Sequence, residues 1–316
     1  TINGATLGLD SDSVLVQSTG TGTSNTLFGK NAGDSIASGG NYNTIFGNNT
    51  ATALTTGDAN VIIGHNAGQT LTTSGFNTLI GKSAGANIAA GQTDANGTVA
   101  VGWEALLDLT EGRYSTAIGY GAGGAVDTGA TNLLIGNGAG DGFDAEDFNL
   151  AIGFDALGGS VNGGEYNIAI GAYAGDAITS GDFNTIVGYA AGGALTSGAG
   201  CTLIGHRAGA AFSATTSNTF IGSCAGEAST GDNNVCIGRD VYDAATAEDK
   251  NVAIGNDALG GPVNGAEQNV VIGHTAGDAI TSGDSNVLLG YNSGGAVTTG
   301  GSNTYVGLNC GSNTTD

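Results

Sequence analysis

Residues 77–85 read Asn-Thr-Leu-Ile-Gly-Lys-Ser-Ala-Gly and residues 184–192 read Asn-Thr-Ile-Val-Gly-Tyr-Ala-Ala-Gly, and variants of this phrase return along almost the whole chain. Its fixed point is the glycine that closes each short apolar run. Seventeen such anchors occur, from Gly29, Gly47 and Gly64 through to Gly307, and eleven of the sixteen intervals between them are seventeen residues long. A fixed period of this size marks a repeat architecture, in which each unit buries its apolar face against the next. A longer period overlies the first: residues 149–198 match residues 251–300 at 33 of 50 positions, an offset of 102, or six repeats.

Helix is excluded, because Gly recurs within every repeat and each apolar run is only three or four residues long. Short strands and tight turns remain. The fold class expected is all-β, a β-solenoid (β-helix or β-roll) of about seventeen 17-residue coils. Residues 1–24 fit the register poorly and read as an N-terminal cap or junction, leaving 25–316 as the repeat domain. The four extra residues between Gly81 and Gly102 are assigned to a loop near Gln92–Ala95.

Reading down the aligned repeats gives each position a physical role. Four residues before the anchor, Asn stands in 14 of 17 coils, with Thr98, Ser115 and Cys201 as exceptions. Stacked Asn side chains can hydrogen-bond from coil to coil and satisfy buried backbone groups. Three residues after the anchor, 13 of 17 are Ala, which fits a tight corner. The anchor itself implies positive φ or close backbone approach.

The residue just before the anchor is always Ile, Val, Leu or Phe and is assigned to the interior. Strand side chains alternate faces, which puts the residue two before the anchor outside. That column holds Leu27, Ile45, Ile62, Leu79, Leu134, Ile186, Leu203, Phe220, Val271 and Leu288. An apolar stripe on the outside of a coil requires cover. These ten residues are therefore expected at a subunit interface, in an intertwined or side-by-side homotrimer, the alternative being a flattened coil whose second sheet covers that face.

Composition narrows the function classes. The chain has 61 Gly without a Gly-X-Y period, so it is not collagen, and 40% hydrophobic residues is too many for a disordered linker. Net charge is −22 with six basic residues, which makes nucleic acid an unsuitable partner. No run approaches eighteen apolar residues, so membrane insertion is not expected. The four cysteines fall at four different places in the repeat and are read as free thiols.

The Asn-Thr-x-(Ile/Val)-Gly-x-x-Ala-Gly units, as in 77–85 and 184–192, resemble repeats of trimeric tail-fibre and surface-fibre proteins of phages and bacteria. More loosely they resemble the left-handed β-roll heads of trimeric autotransporter adhesins, whose repeat is shorter. The resemblance covers nearly everything after residue 24. It implies a homotrimeric fibre, outside the cell or on a virion surface, that provides rigid reach and attachment to a host or surface.

Three further columns carry candidate sites. Immediately after the anchor stand Lys30, His65, Lys82, Trp103, Tyr120, Phe154, Tyr189, His206, Arg239, His274 and Tyr291. Aromatic and basic side chains on a ladder could contact a cell-surface glycan or receptor through many weak contacts. Six residues before the anchor, Asp232, Asp249, Glu267 and Asp284 follow one another in consecutive coils. Like charges stacked one coil apart repel, so a cation would ease them, with Ca2+ the natural choice and no other cofactor expected. The bland alternative is that these carboxylates splay into solvent. Eight residues after the anchor, Thr occurs in 10 of 17 coils, including Thr55, Thr72, Thr179, Thr196, Thr281 and Thr298. A flat Thr ladder raises ice binding as a rival, although Asp127 and Asp144 interrupt it. Catalysis is not expected: His65, His206 and His274 lie in distant coils, and no Gly-x-Ser-x-Gly nucleophile motif is present. The alternatives to an adhesive fibre are a secreted filament subunit polymerising end to end, and an ice-binding or polysaccharide-degrading solenoid.

Overall fold

The computed structural model describes residues 22–88, 96–160 and 162–313. The loop assigned to Gln92–Ala95 and most of the 1–24 segment lie outside the described residues. Contacts divide the chain into two units, Thr1–Asp147 and Phe148–Asp316. The first holds β1 (Thr26–Phe28), β2 (Thr44–Phe46), β3 (Val61–Ile63), β4 (Thr78–Ile80), β5 (Val99–Val101), β6 (Thr116–Ile118) and β7 (Leu133–Ile135). The second holds β8 (Leu150–Ile152), β9 (Ile168–Ile170), β10 (Thr185–Val187), β11 (Thr202–Ile204), β12 (Thr219–Ile221), β13 (Val235–Ile237), β14 (Val252–Ile254), β15 (Val270–Ile272), β16 (Val287–Leu289) and β17 (Thr304–Val306).

Within each unit every strand pairs in parallel with the next, one coil on. Equivalent residues of the repeat face each other without slippage, as in Thr185–Thr202, Ile186–Leu203 and Val187–Ile204. The fold is thus a parallel β-solenoid, with no helix among the described residues and so none long and apolar enough to cross a membrane.

Each strand is three residues long because the backbone turns on both sides of it. The anchor glycine has φ between 131° and 145°, and the residue five before it has positive φ in coil after coil, as in Tyr114 (57°) and Phe183 (58°). Between these bends sits the Asn ladder. The Asn184 backbone N–H donates to Asn167 Oδ1 at 3.0 Å, its Nδ2 donates to the Gly198 carbonyl at 2.8 Å, and its own Oδ1 accepts the Cys201 N–H at 2.9 Å. The pattern recurs at Asn43, Asn60, Asn269 and Asn286. A buried backbone group without a partner costs about as much as a lost hydrogen bond, so this ladder is what lets the turns enter the interior.

The inside and outside of the strand are the reverse of the assignment made from sequence. Only the central residue points inward. Leu27, Ile45, Ile62, Leu79, Leu134, Ile186, Leu203, Phe220, Val271 and Leu288 are buried within their own coil, with Leu27 5% exposed and the others 0%. They are core residues and cannot form a subunit interface. The residue before the anchor, from Phe28 to Val306, faces outward and is nowhere buried. Both columns are apolar, so alternation alone fixes the period but not its phase.

Two more columns complete the core: the Ala three after the anchor, such as Ala191, and the residue seven after it, such as Leu195 and Phe212. Full burial of each large side chain contributes on the order of 1.5–3 kcal/mol. Volume is exchanged between columns in four coils, as close packing favours, while Ala117 and Ala169 are accompanied by Gly123 and Gly175. Where the strand centre shrinks to Ala100, Ala151, Ala253 or Cys236, the fourth residue after the anchor becomes Leu106, Leu157, Leu259 or Tyr242, all buried. Elsewhere that residue is usually Gly, for want of space: a Cβ at Gly226 would lie 1.8 Å from the Phe220 ring. Cys201, Cys224, Cys236 and Cys310 are free thiols, in line with their scatter through the repeat.

Candidate functional site

Since strand centres point inward, the first and third strand residues point out, and the residue after the anchor is exposed beside them. Together with the bend residue five before the anchor, these columns run through every coil. None of the chain's 28 carboxylates stands in any of the four columns, whereas four of its six basic residues do: Lys30, Lys82, Arg239 and Lys250. The acid lies outside these columns, the buried Glu146 and Glu248 included, against Arg113 and Arg207 alone. Such a partition leaves each unit of a strongly acidic chain with an uncharged to weakly basic, mainly apolar face.

The eleven residues expected to contact a glycan or receptor all lie on this face and are all exposed. They are gathered into short groups rather than one ladder. Lys82 Nζ lies 4.7 Å from the Trp103 ring centre, and Trp103 meets Tyr120 edge-on at 5.3 Å. In the second unit Phe154, Tyr173 and Tyr189 make successive edge contacts at 5.3 and 6.0 Å, and Tyr189 stacks on His206 at 5.6 Å. His274 stacks on Tyr291 at 5.5 Å. Arg239 pairs with Asp240 at 2.8 Å and bonds Asn256. Lys30 and His65 are also exposed.

One column escaped the sequence reading. The bend residue five before the anchor is Tyr42, Phe76, Tyr114, Phe148, Tyr166 and Phe183 in six coils, each exposed and each at positive φ. Phe148, Tyr166 and Phe183, in consecutive coils, form a face-to-face stack with centroids 5.0 and 5.1 Å apart. The signal was present in the residue types, interrupted in the same column by Gly97, Gly200 and Asn233.

The acidic column has a different employment from the one expected. Three of the four carboxylates accept a backbone N–H from the same position one coil earlier: Thr216 to Asp232 (2.7 Å), Asp232 to Asp249 (2.7 Å) and Glu267 to Asp284 (2.8 Å). Asn96 does the same for Gly75 at 2.7 Å without any charge. Among the described residues no group of three or more His, Cys, Asp or Glu could hold a metal. Asp249→Asn should leave stability within about 0.5 kcal/mol of the parent, while Asp249→Ala should lose about 1 kcal/mol. Thermal melting checks both, and a fall in melting temperature on adding chelator would restore the cation ladder.

The Thr column is also spoken for. The hydroxyls of Thr55, Thr179, Thr196, Thr230 and Thr281 donate to the carbonyl of the equivalent residue one coil on, at 2.6–3.1 Å. Their regularity follows from coil-to-coil bonding. A shallow cleft of about 270 Å3 in the second unit is lined by Asp243, Asp257, Gly260, Gly261 and Asp278. Burial, aided by neighbouring carboxylates, pushes the Asp243 and Asp278 carboxyls above the usual range.

No protein-family model matches the chain, and no curated protein matches it. The functional reading therefore rests on the geometry of the acid-free face.

Proposed function

We propose that this chain is a structural and adhesive fibre protein, assembled as a homotrimer and displayed outside the cell or on a virion surface. The observation that carries this reading is the acid-free, apolar outward face of the strands. Copies of a chain with net charge −22 repel one another over most of their surface. Only the outward strand face offers contact without that repulsion. Its third-residue column is Ile, Val, Leu or Phe in every coil, the composition of a covered surface.

Size supports the same conclusion. The face spans about 13 Å from the first strand residue to the one after the anchor, and the ten coils of the second unit advance about 4.8 Å each. That gives roughly 600 Å2 from one unit, close to the ~800 Å2 per partner of a standard interface. The aromatic and basic groups at the edge of the face, in the column after the anchor, supply contacts to a receptor, and multivalency compensates for weak individual contacts. The role is one of support and attachment rather than catalysis.

Sedimentation velocity tests the assembly directly. The wild-type chain should sediment as a trimer at micromolar concentration. The double variant Ile118→Glu and Ile272→Glu places charge at two outward positions, 39% and 38% exposed, and should sediment as a monomer with an unchanged circular dichroism spectrum. A wild-type monomer at that concentration would remove the basis of the proposal.

A further inference from the structure

We infer that the bend column of the first unit is a binding platform for an extended β-1,4-linked polysaccharide, formed by Tyr42, Phe76 and Tyr114. This goes beyond the fibre reading by naming a ligand class, and it rests on the adhesive half of that reading rather than on self-association. The three rings are among the most exposed large side chains, at 67%, 72% and 62%. They occupy every second coil, and the coils between carry Ala59 and Gly97 at the same position. Each ring is thus flanked by small residues. A Cβ at Gly97 would lie 3.0 Å from Tyr114 Cδ1, so the glycine leaves the space into which that ring extends.

Spacing is fixed by the backbone. The N–H of each bend residue donates to the carbonyl of the preceding coil: Tyr42 to Thr23, Ala59 to Asn41, Phe76 to Asp58, Gly97 to Gly75 and Tyr114 to Asn96, at 2.9–3.2 Å. Rings two coils apart are therefore held about 10 Å apart. In an extended β-1,4-linked chain successive pyranose rings turn over, so the same apolar C–H face recurs at every second sugar, a spacing of about two coil steps. Each aromatic would meet a sugar in the same orientation, with only Ala59 and Gly97 in the column between the rings. No carboxylate stands in this column or in the outward strand columns beside it.

The second unit supplies the contrast. There Phe148, Tyr166 and Phe183 fill consecutive coils and cover one another at interplanar angles of 7° and 9°. Ring faces used in that stack are not offered to a ligand. The aromatics also sit at φ of 57–62°, where a bulky residue is disfavoured, so fold stability does not account for them.

The full chain should be retained on microcrystalline cellulose or on chitin and not on amylose, whose helical α-linked chain lacks the alternating repeat. Tyr42→Ala, Phe76→Ala and Tyr114→Ala combined should weaken retention by about tenfold or more, given several ring contacts acting together. Ala59→Phe is the discriminating variant. The bend tolerates aromatics in consecutive coils, so it should fold, yet it would cover the faces of its neighbours and should also weaken retention severalfold. Binding to neither cellulose nor chitin, equal binding to amylose, full retention by the triple variant, or undiminished binding by Ala59→Phe would each overturn the proposal. Sedimentation of the same samples reports self-association separately.

Discussion

Gly188→Ala is expected to unfold the coils on either side of it and to cost about 4 kcal/mol or more. Gly188 has φ of +137°, and a Cβ there would lie 2.3 Å from the carbonyl oxygen and 2.6 Å from the carbonyl carbon of Gly205, the next anchor. Those atoms belong to a backbone held by the Asn ladder and the strand pairing, so neither can move aside without breaking both. The φ of +137° is itself a conformation L residues rarely adopt, unlike the left-handed +50° at which Ala190 carries a side chain, and the close contact adds to that strain. The anchor column admits none because one coil's backbone rests directly on the next. In a stacked array, stability is a sum of coil terms and neighbour terms, so a wedge between two coils removes a neighbour term as well as straining a turn. A lowered thermal midpoint and new proteolytic cleavage between residues 188 and 205 are the expected signs. A midpoint within a degree or two of wild type would show that the coils can separate at little cost.

The same close stacking explains why so much of the fold was legible from residue types. A period survives only if every coil repeats its neighbours' constraints, so the anchors, the Asn column and the corner Ala were readable at once, and each has the role its chemistry suggests. The phase of the strand was not readable by alternation. Ile186 and Val187 are both apolar, and either could face in. The deciding signal lay elsewhere, in the pairing of Ala151 with Leu157 and Cys236 with Tyr242, which only an interior of fixed volume requires.

The candidate site was legible to a similar depth. Residue type placed Trp103, Tyr120 and Tyr189 correctly at the surface, but their grouping depends on which rings stand in adjacent coils. The role of the acidic ladder was not legible, for a physical reason. That Asp249 accepts the Asp232 N–H depends on which backbone donors the turn leaves unpaired, and this is a property of the coil's shape rather than its composition. The acid-free face emerged only once the phase was known, because its third-strand column, Val187 among it, had been assigned to the interior.

Asn184→Leu should destabilise the second unit by about 4 kcal/mol, since it leaves the Cys201 N–H and the Gly198 carbonyl buried without partners. Hydrophobicity and size are nearly preserved, so a large loss isolates the hydrogen bonds as the cause. Asn184→Asp makes a sharper test. The carboxylate would keep the acceptor for Cys201 but would turn oxygen towards the Gly198 carbonyl and Asn167 Oδ1, where the amide now donates at 2.8 and 3.1 Å. Burial and these facing oxygens would hold the new carboxyl above the ordinary Asp range in the folded state. The folded form would then bind its proton at a pH where the unfolded chain has released it. The penalty should accordingly be largest at neutral pH and shrink as pH falls, when the protonated group can donate one bond again. Thermal melting of both variants against pH distinguishes the roles: Asn184→Leu should show the same loss relative to wild type throughout. The absence of Asp from all seventeen positions of this column, in a chain with 28 acidic residues, is what the argument requires. A pH-independent loss in Asn184→Asp would mean that the ladder is open to water.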